Sequence, residues 1–241
     1  MSGHSKWANI KHRKGKQDAV KGKIFTKLIR EITVAARQGG DDIDSNSRLR
    51  LAVDKALGNN MPRDTIDRAI KRGAGGLDAT TVEEIRYEGY APGGVAIIVH
   101  CLTDNRNRAV GDVRHAFTKH GGHLGTDGSV AYLFNQRGLL CFQPGSDENK
   151  IMQVAIDSGA LDVVTNEDGS IDVTTAPEDF ATVKLATEKA GLKSDVAEIS
   201  FIPDIYVKID KEHEEKITNL LEVLEELDDV QNVYSNAEFN G

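Results

Sequence analysis

The order of strands and helices in the second half of the chain restricts its fold more than any other feature. Residues 139–202 follow the order strand, helix, strand, strand, helix, strand, and an Asn-Glu-Asp-Gly turn separates the two middle strands. This βαββαβ order is typical of the split-βαβ, or ferredoxin-like, arrangement. Residues 137–203 are therefore predicted to form a self-contained ferredoxin-like α+β domain.

The segments on either side of this domain predict a second domain of the same class. Residues 95–134 have the pattern of a strand, a helix and a strand, the last at Ser129–Phe134, and the C-terminal segment repeats that order from a strand at Ile205–Ile209. Together the two segments complete a second pair of βαβ units. We therefore expect an α+β fold in which one ferredoxin-like domain is inserted into another, and the outer domain comprises residues 81–136 and 204–241.

The N-terminal residues 1–76 predict a separate domain of three helices. Apolar residues recur at helical spacing in three segments between residues 23 and 72, the second of which follows Asn46, and each segment ends at glycine. Residues 1–21 lack this periodicity, and we expect them to be extended or disordered until bound. The glycine-rich segment Gly73–Gly76 is expected to be a hinge that leads into the α+β domains.

The charge of the chain is unevenly distributed. Residues 1–76 carry 17 basic and 8 acidic side chains, residues 77–241 carry 13 basic and 30 acidic ones, and the formal net charge is −8. Met1–Arg30 alone contains nine Lys or Arg and one acidic residue. Such asymmetry indicates a nucleic-acid or acidic-surface partner for the N-terminal part only. The alternative is a solvated segment that aids solubility and binds nothing.

The N-terminal candidates for nucleic-acid binding share a cationic, hydrogen-bonding or stacking side chain. Lys and Arg neutralise phosphates and release counterions without needing a defined pocket. Trp7 is suited to stack on an exposed base, and packing of Trp7 against the helical domain is an equal alternative. The candidates in this segment are Lys6, Trp7, Lys11, His12, Arg13, Lys14, Lys16, Lys21, Lys23, Lys27 and Arg30.

A second candidate surface lies on the third predicted helix, after a turn that resembles that of a helix-turn-helix. Arg68, Lys71 and Arg72 share one face of this helix, and in helix-turn-helix proteins such a face approaches the DNA groove. However, Asp64 and Asp67 each precede a basic residue by four positions, which is the spacing of intrahelical ion pairs. Groove binding and internal pairing are therefore competing interpretations of this face.

A third candidate is the predicted junction between a strand and a helix that contains Arg106 and Arg108. Asn105 or Asn107 is expected to cap the helix, and the two arginines would then bind phosphate near its N-terminal amide groups. Capping alone would also explain the asparagines.

Several functional classes have no support in the sequence. No apolar run is long enough for a transmembrane helix, and no secretory signal is present. Cys101 and Cys141 match neither a disulfide framework nor a zinc motif, and His115, His120 and His123 do not share one helix face. Nucleotide-binding glycine motifs and a nucleophile motif are also absent. We therefore expect a non-enzymatic cytoplasmic protein with no cofactor, no metal, no membrane partner and no small-molecule substrate.

Several motifs together resemble one known family over essentially the whole chain. They are Gly3–Lys14, Gly22–Ile32, Asn60–Pro62, Tyr87–Tyr90, Pro92–Val95, Thr103–Arg108, and the segment from Gly121–Gly122 through Gly128–Val130. On these residues the chain is similar to the YebC family. The resemblance implies a cytoplasmic protein of three domains, one helical and two α+β.

The resemblance also implies a regulatory function. Bacterial members of the family are described as probable DNA-binding transcriptional regulators, mitochondrial relatives act as translational activators, and some bacterial members are linked to ribosomes stalled in elongation. Our first hypothesis is accordingly a DNA-binding transcriptional regulator. The second is a ribosome-associated translation factor that binds ribosomal RNA or mRNA and relieves elongation stalls. The family label favours duplex DNA, whereas the residues favour RNA, because a basic segment with one aromatic residue specifies no base code.

Overall fold

A computed structural model describes residues 21–75 and 82–239, without the side chain of Lys21. The predictions for residues 1–20, and for the last glycine of the predicted hinge, lie outside the described residues.

Seven α-helices and ten β-strands occur within the described residues. The helices are α1 (Lys21–Gly39), α2 (Ser47–Gly58), α3 (Arg63–Gly73), α4 (Arg106–Lys119), α5 (Glu148–Asp157), α6 (Phe180–Lys189) and α7 (Lys211–Glu226). The strands are β1 (Glu83–Tyr90), β2 (Ala96–Thr103), β3 (His123–Leu124), β4 (Phe134–Phe142), β5 (Asp162–Thr165), β6 (Ile171–Thr175), β7 (Val196–Pro203), β8 (Val207–Lys208), β9 (Val230–Ser235) and β10 (Ala237–Glu238). The described chain divides into two compact units, one within Val20–Tyr132 and Ile209–Ala237, the other within Leu133–Lys208 and the last residues.

The three N-terminal helices pack around one apolar core. Leu28 of α1, Leu49 of α2 and Ile66 of α3 are almost completely buried in it. α3 approaches α1 closely at Gly73, where an added Cβ atom would overlap the carbonyl oxygen of Thr33. The apolar positions that predicted the helices are therefore the positions that hold them together.

Asn46 fixes the start of α2 and connects it to α1. Its side-chain oxygen accepts a hydrogen bond from the backbone N–H of Leu49 at 3.0 Å, so it is the N-cap. Its amide nitrogen donates to the carbonyl oxygens of Ala35 and Gly40 at 2.8 and 2.7 Å. One buried side chain thus satisfies backbone groups at the end of one helix and the start of the next.

The sheet in the same unit has the strand order β3-β1-β2-β9, and every neighbouring pair is antiparallel. β2, α4 and β3 form a strand-helix-strand unit, while α7 and β9 come from the C-terminal segment. β1 fills the second central position of the sheet. The buried residues of this part include Ile97 and Val99 of β2, Phe117 of α4 and Leu220 of α7.

One predicted strand of this domain is replaced by a turn. The sequence predicts a strand at Ser129–Phe134, whereas the structure has a 3₁₀ turn at Ala131–Leu133. The backbone N–H groups of Val130 and Ala131 each donate to the carboxylate of Glu88, at 2.8 Å. Because these groups are already paired, they cannot join a strand ladder. The strand prediction is wrong here, and the short strand β3 takes the edge position instead.

A second predicted strand is much shorter than expected. Within the predicted Ile205–Ile209 strand, only Val207–Lys208 has strand geometry. β7 ends at Pro203, and the next residue bends back, so that the backbone N–H of Asp204 donates to the carbonyl oxygen of Leu133 at 3.0 Å. This bend uses the residues that would have started the longer strand.

The second unit has the predicted ferredoxin-like arrangement. Its sheet has the order β5-β6-β4-β7, with all neighbours antiparallel. In chain order the elements are β4, α5, β5, β6, α6 and β7, which is the βαββαβ order read from the sequence.

The fold as a whole is α+β, with a helical N-terminal part followed by two sheets with helices, and the predicted fold class is confirmed. Among the described helices, none combines the length and apolar character needed to cross a membrane.

Candidate nucleic-acid interface

The predicted binding residues divide into five groups. Seven of them, Lys6, Trp7, Lys11, His12, Arg13, Lys14 and Lys16, lie outside the described residues. Lys21 belongs to α1, and its side chain is not described. The other eight are described, three on α1, three on α3 and two at the start of α4.

Three predicted binding residues of α1 contact the C-terminal end of α7 or the turn that follows it. Lys23 donates from Nζ to the carbonyl oxygen of Glu226 at 3.0 Å, and Lys27 donates to that of Glu225 at 2.6 Å. Arg30 donates to the carbonyl oxygen of Asp228, in the turn that follows. We call these three side chains the α1 clamp.

The clamp has a simple electrostatic cause. The last carbonyl groups of a helix have no partner within the helix, and they give its C-terminus a partial negative charge. Lys23 and Lys27 are one turn apart on α1 and supply cations to this end of α7. Burial, the largest influence, lowers the pKa of Lys27 to about 8, although the Glu225 carboxylate opposes this shift. In this structure the clamp residues therefore stabilise the packing of α1 against α7.

Asp229 is the centre of the contact, and sequence reasoning missed it. The residue is 4% exposed. Its carboxylate accepts from Arg30 at 3.1 Å and from Nε and Nη2 of Arg108, both at 2.9 Å. Its backbone oxygen accepts from the N–H of Leu102 at 2.9 Å. The only sequence signal is an acidic pair before a strand, which does not single out Asp229.

The two predicted arginines at the start of α4 have different contacts. Asn105 is the cap, since its side-chain oxygen accepts from the N–H of Arg108 at 3.0 Å. The Arg108 guanidinium is held by Asp229 and, at 2.8 Å, by Asp104. The pKa of Arg108 is raised, mainly by the hydrogen bond to Asp229 and next by the hydrogen bond to Asp104. Arg106 is exposed as well, but it pairs with neither Asp104 nor Asp229.

The basic residues of α3 are exposed. Arg68, Lys71 and Arg72 form what we call the α3 basic face. Instead of pairing with the carboxylate of Asp64, Arg68 donates from Nε to its carbonyl oxygen at 3.0 Å. Within residues 63–73, no ion pair connects Asp64 to Arg68 or Asp67 to Lys71. The intrahelical pairing that the spacing suggested is therefore not formed, and the three cations are available to an external anion.

A second ionic network joins the helical part to the sheet. Arg48 of α2 pairs with Glu31 of α1 and with Glu84 of β1, each at 3.0 Å. His100 of β2 contacts the same Glu84 carboxylate at 2.7 Å. The hydrogen bond from His100, and then that from Arg48, hold the pKa of Glu84 well below its usual value. Two ionic contacts, this network and the α1 clamp, thus fix the helices on the sheet and leave the α3 basic face outside.

The described residues provide no donor set for a metal. No group of three or more His, Cys, Asp or Glu side chains within residues 21–75 and 82–239 is arranged to hold an ion. His123 instead stacks on Tyr90, with ring centroids 5.7 Å apart.

Two family models match the chain over nearly its whole length. The model of the TACO1/YebC protein N-terminal domain matches residues 5–76, and that of the TACO1/YebC second and third domain matches residues 82–237. The chain belongs to the TACO1/YebC family. This confirms the resemblance found in the sequence.

Curated relatives and a solved structure agree with the family. Probable transcriptional regulatory proteins of Francisella philomiragia and Coxiella burnetii are each 62% identical to the chain over 239 residues. These alignments cover 99% of the chain and 96% and 98% of the relatives. The crystal structure of a conserved hypothetical protein from Aquifex aeolicus is 48% identical, with a TM-score of 0.84 and 93% of both chains covered. The names of the curated relatives support a regulatory family.

Two of the TACO1/YebC motifs meet at one end of the sheet. In the Tyr87–Tyr90 motif, the carboxylate of Glu88 accepts from the backbone N–H of Gly128 at 3.1 Å, and the hydroxyl of Tyr90 donates to the carbonyl oxygen of Ser129 at 2.9 Å. The N–H group of Gly128 and the carbonyl oxygen of Ser129 both belong to the Gly128–Val130 motif. The two motifs therefore act as a pair, although they are 38 or more residues apart in the chain.

Proposed function

We propose that this protein is a non-enzymatic regulator that binds nucleic acid, and that the α3 basic face contacts phosphates. One observation carries the proposal: Arg68, Lys71 and Arg72 are exposed and, among the described residues, bound to no carboxylate, in a chain with a net charge of −8. Cations in this state attract a polyanion and release its counterions on binding. The basic residues of the N-terminal segment, from Lys6 to Lys16, are proposed to bind the same polyanion.

The acidic residues of α3 favour contact with the phosphate backbone over reading of bases. In helix-turn-helix proteins the first residues of the recognition helix enter the major groove. In α3 these turns carry the exposed residues Asp64 and Asp67, whose carboxylates would lie between the phosphates that line the groove. The residues of the α3 basic face lie in the second half of the helix, whereas the first turn carries one cation, that of Arg63, beside Asp64. Contact of this kind suits an irregular, folded RNA, so ribosomal RNA is our first candidate and the protein would act as a translation factor.

Duplex DNA is the second candidate, and a different observation favours it. The curated relatives are named as probable transcriptional regulatory proteins. Phosphate contacts position a protein on DNA as well as on RNA. In that case sequence readout would require residues other than the start of α3.

A competition experiment distinguishes the two candidates. The full chain is mixed at physiological salt with purified ribosomes and an excess of a promoter-bearing DNA duplex, and the bound fractions are measured by sedimentation and gel shift. We expect the protein to sediment with ribosomes. The promoter duplex and a duplex of random sequence should displace it to the same extent. A form lacking residues 1–21 should sediment less, because it loses phosphate contacts. Sequence-specific duplex binding without sedimentation would overturn the translation hypothesis, and binding to neither partner would overturn both.

A further inference from the structure

The loop of residues 125–132, which we call the Glu88 loop, is attached to β1 by a buried carboxylate. Glu88 accepts hydrogen bonds from the backbone N–H groups of Gly128, Val130 and Ala131, at 3.1, 2.8 and 2.8 Å. Its backbone oxygen accepts from the N–H of Gly125 at 2.8 Å. Four backbone N–H groups of one loop therefore depend on a single residue of β1.

This attachment is an unusually strong one for a surface loop. The side chain of Glu88 has no exposed area and is also paired with Arg86 at 3.1 Å. A buried carboxylate is costly unless hydrogen bonds compensate it, and those to a charged acceptor are the stronger kind. The hydroxyl of Tyr90 adds a further bond, to the carbonyl oxygen of Ser129. The loop is thus held in one conformation, because residues of β1 bind both its N–H groups and one of its C=O groups.

The fixed loop presents an aromatic side chain to solvent. Tyr132, at its end, is 71% exposed. Its phenol group interacts with the phenol group of Tyr90. The pKa of Tyr90 is raised, mainly by burial and next by this contact. Tyr90 in turn stacks with the exposed ring of His123, at an interplanar angle of 29°. We call Tyr132, Tyr90 and His123 the aromatic platform.

The surroundings of the platform are polar and include two exposed cations. Lys119, in the last turn of α4, and Arg86 are both exposed. Asp127 lies 3.6 Å from Arg86 and offsets part of its charge. The negative charge of Glu88 is buried and already compensated. Around the platform, then, the described residues combine aromatic rings with the cations of Lys119 and Arg86.

From this geometry we propose that the aromatic platform stacks an unpaired nucleobase of an RNA strand, with Tyr132 as the main stacking residue. Single-stranded bases stack on exposed aromatic side chains, whereas bases within a duplex are not accessible to them. The pinned loop lowers the entropy that stacking would otherwise cost, because the ring is already positioned. This inference rests on the proposed function and adds a second contact, separate from the α3 basic face.

The test uses the full chain and a single-stranded RNA oligonucleotide that contains 2-aminopurine, whose fluorescence is quenched by stacking. We expect quenching by the wild-type protein and by Tyr132→Phe, which keeps the ring. Tyr132→Ala should abolish the quenching and weaken binding about 5- to 100-fold, the range for loss of one base–aromatic stack. Thermal unfolding of both variants checks that the fold is intact. Single-stranded DNA of the same sequence and an RNA duplex are the comparison ligands.

Each other outcome overturns the inference in a distinguishable way. If Tyr132→Ala binds and quenches like the wild type, the platform is not a base site, and the proposed function is unaffected. If it loses association with ribosomes but not with the oligonucleotide, the platform contacts a protein. If the wild-type chain binds no oligonucleotide even at low salt, the platform is contradicted, whereas the proposed function fails only if the chain also binds neither ribosomes nor duplex DNA. Equal quenching of the duplex and the single strand would exclude an unpaired base.

Discussion

Replacing Asp229 by Ala is expected to lower the free energy of unfolding by about 3 kcal/mol. The buried carboxylate accepts from Arg30 and Arg108, so its removal leaves two guanidinium groups without their counter-charge. Both arginines are partly exposed and can turn toward water, which keeps the loss near the lower end of the range for a broken buried pair. Urea denaturation of the full chain measures the difference.

Asp228→Ala is the matched control for this variant. Asp228 is exposed, and Arg30 contacts its backbone oxygen, which the substitution retains. A surface change of this kind should alter the free energy of unfolding by about 0.5 kcal/mol or less. Equal urea midpoints for the two variants would show that Asp229 does not hold α1 and α4 together.

Replacing Glu88 by Gln is expected to cost about 3 kcal/mol as well, because a neutral amide takes the place of a charged acceptor of several hydrogen bonds. The new NH₂ group would also face backbone N–H donors, which it cannot pair with. Glu83→Gln is the control, because Glu83 is on the same strand and exposed. Thermal or urea unfolding at neutral pH measures both variants, and a Glu88→Gln protein as stable as Glu83→Gln would contradict the role of Glu88 in holding the loop.

The stability difference between wild type and Glu88→Gln should depend on pH. Burial alone would raise the pKa of Glu88, but the N–H groups of Val130, Ala131 and Gly128 outweigh it, so the folded-state pKa is lowered. A carboxyl of this kind stabilises the fold above its unfolded pKa of about 4.3 and loses that contribution as pH falls through the folded pKa. The difference should therefore be constant above about pH 5 and shrink below it. A difference that persists undiminished in acid would contradict this origin.

Local patterns predicted those parts of the fold that depend on neighbouring residues. The three N-terminal helices follow from apolar periodicity and from stop signals at glycine, and Asn105 forms the cap that its position suggested. The βαββαβ order of the second unit was readable for the same reason. These elements need only contacts within a few residues or along one face.

The features that could not be predicted depend on contacts between distant parts of the chain. The strand expected at Ser129–Phe134 fails because Glu88, about 40 residues earlier, binds its N–H groups. Lys23 and Lys27 look identical in sequence to the other bases of the segment, yet they contact α7 about 200 residues later. Conversely, the cations of α3 looked paired with Asp64 and Asp67, and side-chain geometry leaves them unpaired. Charge spacing alone cannot decide which partner a long side chain selects.

Binding of the full chain to a folded ribosomal RNA fragment, measured as a function of salt concentration, tests the α3 basic face most directly. The variant R68Q/K71Q/R72Q is compared with K150Q/K189Q/K193Q, which removes the same charge from exposed positions of the second unit. If the three α3 side chains contact phosphates, the slope of log K against log salt should become shallower by about 2 to 3 in the first variant. It should be unchanged in the second. A wild-type slope for R68Q/K71Q/R72Q would contradict the proposed interface.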